Sequence, residues 1–138
     1  MTITKENIAQ VNRELAKLDG YYIIEIERGF AYRIQNKCSD NDENQEYWGH
    51  DTRVNGGSID LDRAWELLFE DIGTYVNLNT DDPLGGDLNA LALLAMKLRL
   101  LVTLFWSSGA ASVHIHDTWT IYKDKPAHAL ALAILETI

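Results

Sequence analysis

A long apolar segment, Leu88–Trp106, restricts the fold of this chain more than any other feature. Its few polar residues are Asn89, Lys97, Arg99 and Thr103. A helix that is apolar nearly all round must be buried in the protein, at a contact between copies, or in a membrane. Two cations near its middle would each cost roughly 2.5–3.5 kcal/mol in a bilayer. We therefore expect one helix over Leu88–Trp106, packed on both sides or forming a homo-oligomer contact, and no membrane partner.

Three other segments have the pattern of helices. Apolar residues recur at spacings of three and four from about Thr4 to Leu18, and again after Asp60, whose carboxylate suits a helix cap. Pro126 is suited to the first turn of a last helix, PAHALALAILETI. The residues on the first two apolar stripes are Ile8, Val11, Leu15 and Leu18, then Leu61, Ala64, Trp65, Leu68 and Ile72.

Strands are predicted in three places. YYIIEIERGFAYRIQ favours a hairpin that turns at Arg28–Gly29, TYVNLNT alternates as a short strand, and SVHIH and WTIYK favour two strands joined at Asp117–Thr118. The order of elements predicts an α+β fold, a mainly antiparallel sheet packed between helices, with about four helices and five short strands. The length of 138 residues predicts a single domain, 1–138.

Cysteine usage and the amino-terminal segment bear on location. Cys38 is the one cysteine, so an internal disulfide is impossible and a reducing compartment fits best. The segment MTITKENIAQVNRELAKL is amphipathic and charged, which is unlike a secretory signal. We expect a cytoplasmic protein.

Negative charge is concentrated in the middle of the chain. The net charge is −9, and the segment Cys38–Asp87 holds thirteen acidic and two basic residues, so it carries −11 and the remainder +2. Phosphate binding depends on clustered cations, so we expect no direct nucleic-acid partner. A basic or amine-bearing partner is a better match, although surface acids also serve solubility alone.

The polar stretch at about 36–58 predicts a long acidic loop, and it contains two bulky rings, Tyr47 and Trp48. A purely solvating segment has no need of such rings, which either anchor the loop or form the centre of an interface. The candidate binding residues are Tyr47, Trp48, Asp40, Asp42, Glu43, Glu46 and Asp51.

His114 and His116 are the weak candidates for a metal site, because residues two apart in a strand share a face. Asp117, His50 or Asp51 would have to complete the ligand set for a metal-dependent hydrolase. A half-exposed polar strand face explains the two histidines more simply. The acidic neighbours of Cys38 suppress its thiolate. The sequence also contains no Gly-x-Ser-x-Gly nucleophile motif and no phosphate-binding P-loop, so we predict no catalytic residue and no cofactor.

Two stretches, SIDLDRAWELLFEDIG and DTWTIYKDKPAHALALAILETI, resemble the phage ABA-sandwich family. The matching positions are Ser58, Asp60, Ala64 and Trp65, then Trp119, Pro126, Ala127, Ala129, Leu130 and Ala133. The resemblance implies a sheet between helical layers, a phage or prophage origin, and an accessory role such as inhibition of a host enzyme or defence system. It implies no catalytic residues.

The leading hypothesis is thus a non-enzymatic accessory protein that presents its acidic segment to a basic partner, such as a host defence enzyme or a nucleic-acid-binding enzyme. One alternative is an oligomeric protein that sequesters a small molecule such as a nucleotide signal. Another is a toxin immunity protein, a role that an acidic domain of this size could fill.

Overall fold

The computed structural model describes residues 2–26, 29–34 and 61–138. In these residues the α+β class is confirmed, with four helices and antiparallel strand pairing. The helices are α1 (Ile8–Leu18), α2 (Leu61–Ile72), α3 (Leu88–Lys97) and α4 (Pro126–Thr137). The strands are β1 (Tyr21–Ile26), β2 (Gly29–Ile34), β3 (Val102–Ser107), β4 (Ala110–Ile115) and β5 (Thr118–Tyr122).

The chain divides into two compact units. The first comprises Met1–Leu15 with Thr74–Ile138, and the second is Ala16–Gly73. The organisation as a single domain over 1–138 stays a prediction.

The second unit contains the predicted β1–β2 hairpin and α2. The hairpin is confirmed, with Tyr21 opposite Ile34 and Ile26 opposite Gly29. The predicted turn at Arg28–Gly29 is wrong by one residue, because Gly29 is already paired in β2. The apolar stripe of α2 is buried at Ala64, Trp65 and Leu68. The Trp65 ring stacks on Phe69 at 6.0 Å between centroids, and the Lys17 ammonium lies 6.0 Å from the centroid of Trp65, within cation–π range.

The first unit contains a three-stranded antiparallel sheet in the order β3-β4-β5. Two-residue loops, Ser108–Gly109 and His116–Asp117, join its strands, so the second turn lies one residue before the predicted Asp117–Thr118. Gly109 and His116 adopt positive φ angles of 86° and 52°. These tight loops bring the three strands into register.

The prediction of one helix over Leu88–Trp106 is wrong. Helix α3 ends at Lys97, and Val102–Ser107 instead forms strand β3. The helix ends in a Schellman motif: the Leu100 N–H donates to the Ala95 carbonyl and the Arg99 N–H to the Met96 carbonyl, with Arg99 at a φ of 60°. Glycine usually occupies that left-handed position, so an arginine there conceals the helix end from sequence reasoning. Among the described residues no helix combines the length and apolar character needed to cross a membrane.

Helix α4 is the central buried helix of the first unit. Nine consecutive residues from Pro126 to Ile134 are buried, whereas α3 buries only Leu91, Leu94 and Ala95. Alanines at alternate positions of α4 allow α3 and the sheet to approach its axis closely. The helix that packs on several sides is therefore the alanine-rich one and not the leucine-rich one.

The segment TYVNLNT, predicted as a strand, forms only an isolated bridge between Val76 and Gly86. The side chain of Asn12 takes the place of a neighbouring strand, because its Oδ1 accepts from the N–H groups of Tyr75 and Val76 at 3.0 Å. Backbone groups that a ladder would pair are satisfied by one buried amide.

Candidate protein-binding surface

The two faces of the β3-β4-β5 sheet differ in their exposure. Along β4, Ala111, Val113 and Ile115 are buried on the side that packs against α4, and the residues between them are partly exposed. Because side chains alternate along a strand, the register of the sheet defines its other side. We call this side the open face; it carries Thr103, Phe105, Ser112, His114, Trp119 and Ile121.

Aromatic rings meet across the open face. The rings of Phe105 and Trp119 lie 5.9 Å apart between centroids and are tilted by 53°, although their strands are separated by β4. Ser112 of β4 is opposite Phe105, and this small side chain leaves room for the rings to meet above the central strand. His114 contacts the edge of Trp119 at 5.1 Å and 75°. These contacts orient the rings without covering them.

The apolar side chains of the open face are exposed to solvent. Phe105 is 58% exposed, Trp119 49% and Ile121 69%. Each leaves on the order of 100 Å² outside the core, since a large side chain buries about 150–250 Å² when fully covered. Contiguous exposed patches of a few hundred Å² commonly mark interaction sites. The open face therefore has the composition of an interface centre and not of an ordinary solvated surface.

A pocket of about 400 Å³ lies on the opposite side of the sheet, near the end of α4. Tyr122 is buried there, and its hydroxyl donates to the Glu136 carboxylate at 2.8 Å. Burial, followed by the neighbouring Glu136, raises the pKa of Tyr122 far above its usual range. The described lining includes Glu136, His116 and several hydroxyls but no Lys or Arg. This pocket is thus suited to a neutral or amine-bearing ligand and poorly suited to a phosphate.

Polar side chains of the turn between Asn77 and Gly86 hold the turn itself. Asp82 accepts from the Asn77 amide and from the Leu84 N–H, and these hydrogen bonds, the first being the larger cause, lower its pKa. Lys125 donates to the carbonyls of Asn79 and Asp82 at 3.0 and 2.7 Å. The carboxylate and the ammonium are therefore engaged in fixing local structure.

His128 is buried, and its Nε2 lies 2.7 Å from the Asn77 carbonyl oxygen, so Nε2 carries a hydrogen and is the donor. Among the described residues, Asn12 and His128 are the two buried polar or charged residues, and the side chains of both form hydrogen bonds with backbone groups.

The predicted binding residues of the acidic loop lie outside the described residues. They are Tyr47, Trp48, Asp40, Asp42, Glu43, Glu46 and Asp51. The loop at about 36–58, the predicted cap Asp60, and Cys38 and His50 also lie there. Binding through this segment stays a prediction.

The two histidines considered for metal binding are placed differently. His114 lies in β4 against Trp119, whereas His116 is in the turn after β4 and is exposed. Within the described part of the chain, no three His, Cys, Asp or Glu side chains are grouped to hold a metal ion. His114 is better explained as part of the open face.

Sequence reasoning missed Phe105, Trp119 and Ile121 as surface residues. The alternation of TWTIY was a usable signal for two distinct faces, but it favours burial of Trp119 and Ile121. In the structure Tyr122 is buried instead, because its side of β5 packs toward α4. Phe105 was assigned to a helix, so its strand neighbours could not be deduced.

Comparisons with protein-family models, with curated proteins and with solved structures found no match for this chain. The resemblance to the phage ABA-sandwich family therefore stays a prediction. Of its positions, Ala64 and Trp65 are buried in α2, and Pro126 begins α4.

Proposed function

We propose that this protein is a non-enzymatic binding protein that acts by contacting another protein through the open face. The observation that carries the proposal is the cluster of exposed apolar side chains at Phe105, Trp119 and Ile121. Aromatic residues are favoured at the centres of interfaces because they bury a large area while losing few rotatable bonds.

The use of polar groups also supports a binding role. Asn12, Asp82, Lys125 and His128 hold backbone or turn geometry in the first unit. An active site would instead need several polar groups aimed at one reacting atom. The described lining of the pocket near Tyr122 contains the Glu136 carboxylate and no Lys or Arg, so the pocket is poorly suited to a nucleotide phosphate. A protein partner is therefore favoured over a nucleotide ligand.

The acidic segment is expected to contribute to partner binding separately from the open face. Its charge favours a partner with a basic surface, and the resemblance to the phage ABA-sandwich family implies an accessory role in an infected host. The single cysteine favours a cytoplasmic location for that role. Within this proposal, the open face supplies apolar contact and the acidic segment supplies electrostatic attraction. The two contributions differ in their sensitivity to salt.

Affinity capture from host lysate with quantitative mass spectrometry tests the proposal. The face variant carries Phe105→Ser, Trp119→Ser and Ile121→Ser, and the loop variant carries Tyr47→Ala and Trp48→Ala. We expect the face variant to capture at least tenfold less partner than the wild type. The difference should persist at high salt, because salt screens apolar contacts little.

Leu78→Ser is the matched control, because Leu78 is also an exposed apolar residue, at 41%, but lies outside the sheet. Circular dichroism and thermal unfolding show whether each variant is folded. If the folded face variant retains the same partners as the control, the open face is not the binding surface. If only the loop variant loses them, the acidic segment alone mediates binding.

A further inference from the structure

Among the described strands, β3 forms an edge of its sheet. Among the described strands it pairs only with β4, and its sequence, VTLFWS, contains no charged residue and no proline. Natural edge strands usually carry lysine, proline or a bulge, because unpaired backbone groups recruit another strand. An uncharged apolar edge of this kind is a template on which a strand of another chain can pair.

The hydrogen-bond pattern determines which backbone groups of β3 point outward. The His116 N–H donates to the Leu101 carbonyl at 3.0 Å, so these two residues form a hydrogen-bonded pair. Such pairs alternate along an antiparallel ladder, so Thr103, like Leu101, directs its N–H and C=O toward β4. Val102, Leu104 and Trp106 therefore direct theirs toward the open edge.

We propose that β3 pairs in antiparallel fashion with β3 of a second copy of this chain, with Leu104 opposite Leu104. In this register Val102 is opposite Trp106 of the second copy, and the reverse pair is its symmetry mate. Each of the three pairs exchanges two hydrogen bonds, so every outward backbone group from Val102 to Trp106 is satisfied. A register shifted by two residues leaves some of these groups unpaired.

A second copy fits this edge for two further reasons. The strand is uncharged, so identical strands approach without repulsion, and the small Thr103 lies opposite the bulky Phe105 of the second copy. Leu101, Phe105 and Trp106 are 75%, 58% and 53% exposed and together offer on the order of 300 Å² per copy. This area is smaller than the roughly 800 Å² per partner of a standard interface, so the dimer dissociates on dilution.

The pairing extends the three-stranded sheet to six strands, and the two open faces lie on the same side of it. Phe105 of each copy then lies diagonal to its counterpart, within reach of an aromatic contact. The inference goes beyond the proposed function, because self-association is measured without any other protein.

Disulfide trapping tests the register. In a Cys38→Ser background, Leu104→Cys places two thiols on directly opposed residues about 5.5 Å apart at Cα, within disulfide range. Trp106→Cys is the matched control, because the two copies of position 106 are four residues out of register, roughly 13 Å apart. We expect mild oxidation to give covalent dimer from the first variant and not from the second.

Sedimentation velocity over a hundredfold range of concentration tests the edge itself. Thr103 and Thr118 are both exposed, on the edge strands β3 and β5 respectively. Thr103→Lys adds like charges to the pairing and is expected to raise the dimer dissociation constant at least tenfold, whereas Thr118→Lys leaves it unchanged.

A wild-type protein that remains monomeric at the highest concentration overturns the inference. So does equal trapping at positions 104 and 106, or equal weakening by Thr103→Lys and Thr118→Lys. A monomer that still captures a partner through the open face leaves the proposed function intact, so the two failures are distinguishable.

Discussion

Asn12 of α1 binds the backbone of Val76 in both directions. Its Oδ1 accepts from the Val76 N–H at 3.0 Å, and its Nδ2 donates to the Val76 carbonyl at 3.1 Å. The Asn12 side chain is buried, and Oδ1 also accepts from the Tyr75 N–H. One amide therefore joins α1 to a segment 64 residues away along the chain.

Asn12→Ala is expected to lower the free energy of unfolding by about 2–4 kcal/mol, because it removes three hydrogen bonds to buried backbone groups. Gln10→Ala is the control, since Gln10 lies in the same helix and its side-chain amide donates to the Glu14 carboxylate at the exposed surface. We expect that change to cost less than about 0.5 kcal/mol. Urea unfolding measures both, and equal losses would show that the buried bonds contribute little.

Gly86→Ala is expected to destabilise the protein by about 3 kcal/mol or more, since the added Cβ would lie 2.2 Å from the Tyr75 carbonyl oxygen and 2.8 Å from Val76 Cα. Gly109→Ala serves as comparison, because a Cβ there meets no atom within 4 Å and only the φ of 86° is strained. That strain costs about 1–2 kcal/mol. Thermal unfolding should rank the two variants in this order.

Arg99→Gly is expected to stabilise the protein by about 0.5–1 kcal/mol. Arg99 adopts a φ of 60°, which strains any residue with a Cβ, and glycine removes that strain at a smaller cost in chain entropy. Ala92→Gly, at an exposed position inside α3, should have the opposite effect and cost about 1 kcal/mol. Chemical denaturation of both variants checks the sign, and a loss of stability in Arg99→Gly would contradict the strain argument.

Tyr122→Phe is expected to reduce stability at neutral pH by about 1 kcal/mol, because it removes the hydrogen bond to the Glu136 carboxylate. Burial and Glu136 raise the pKa of Tyr122 above the ordinary 10.0, so the neutral phenol is favoured in the folded state. The resulting stability is present below pH 10.0 and is lost as pH rises above that value, when the unfolded phenol ionises.

Unfolding free energies from neutral to alkaline pH therefore decline less steeply for Tyr122→Phe than for the wild type. Glu136→Gln keeps an acceptor but removes the charge, so its alkaline decline should be intermediate. Parallel profiles for all three proteins would show that the phenol does not contribute.

Local patterns determined much of the fold. Spacings of three and four in α1 and α2, the β1–β2 hairpin, and Pro126 at the start of α4 were all predicted from neighbouring residues. The cap of α3 is equally local, because the Asp87 Oδ1 accepts from the Ala90 N–H at 3.0 Å. These features depend on contacts within a few residues, which composition and spacing encode directly.

The open face could not be predicted, because it depends on how distant segments pair. An apolar run such as Leu88–Trp106 satisfies helix and strand equally well, and no glycine marks the helix end at Arg99. Pairing with β4 made Val102–Ser107 a strand and placed Phe105 near Trp119. Hydrophobic residues alone thus determined that this chain has a core, whereas hydrogen-bond pairing and the packing of α4 on one side of the sheet decided which of them remain outside it.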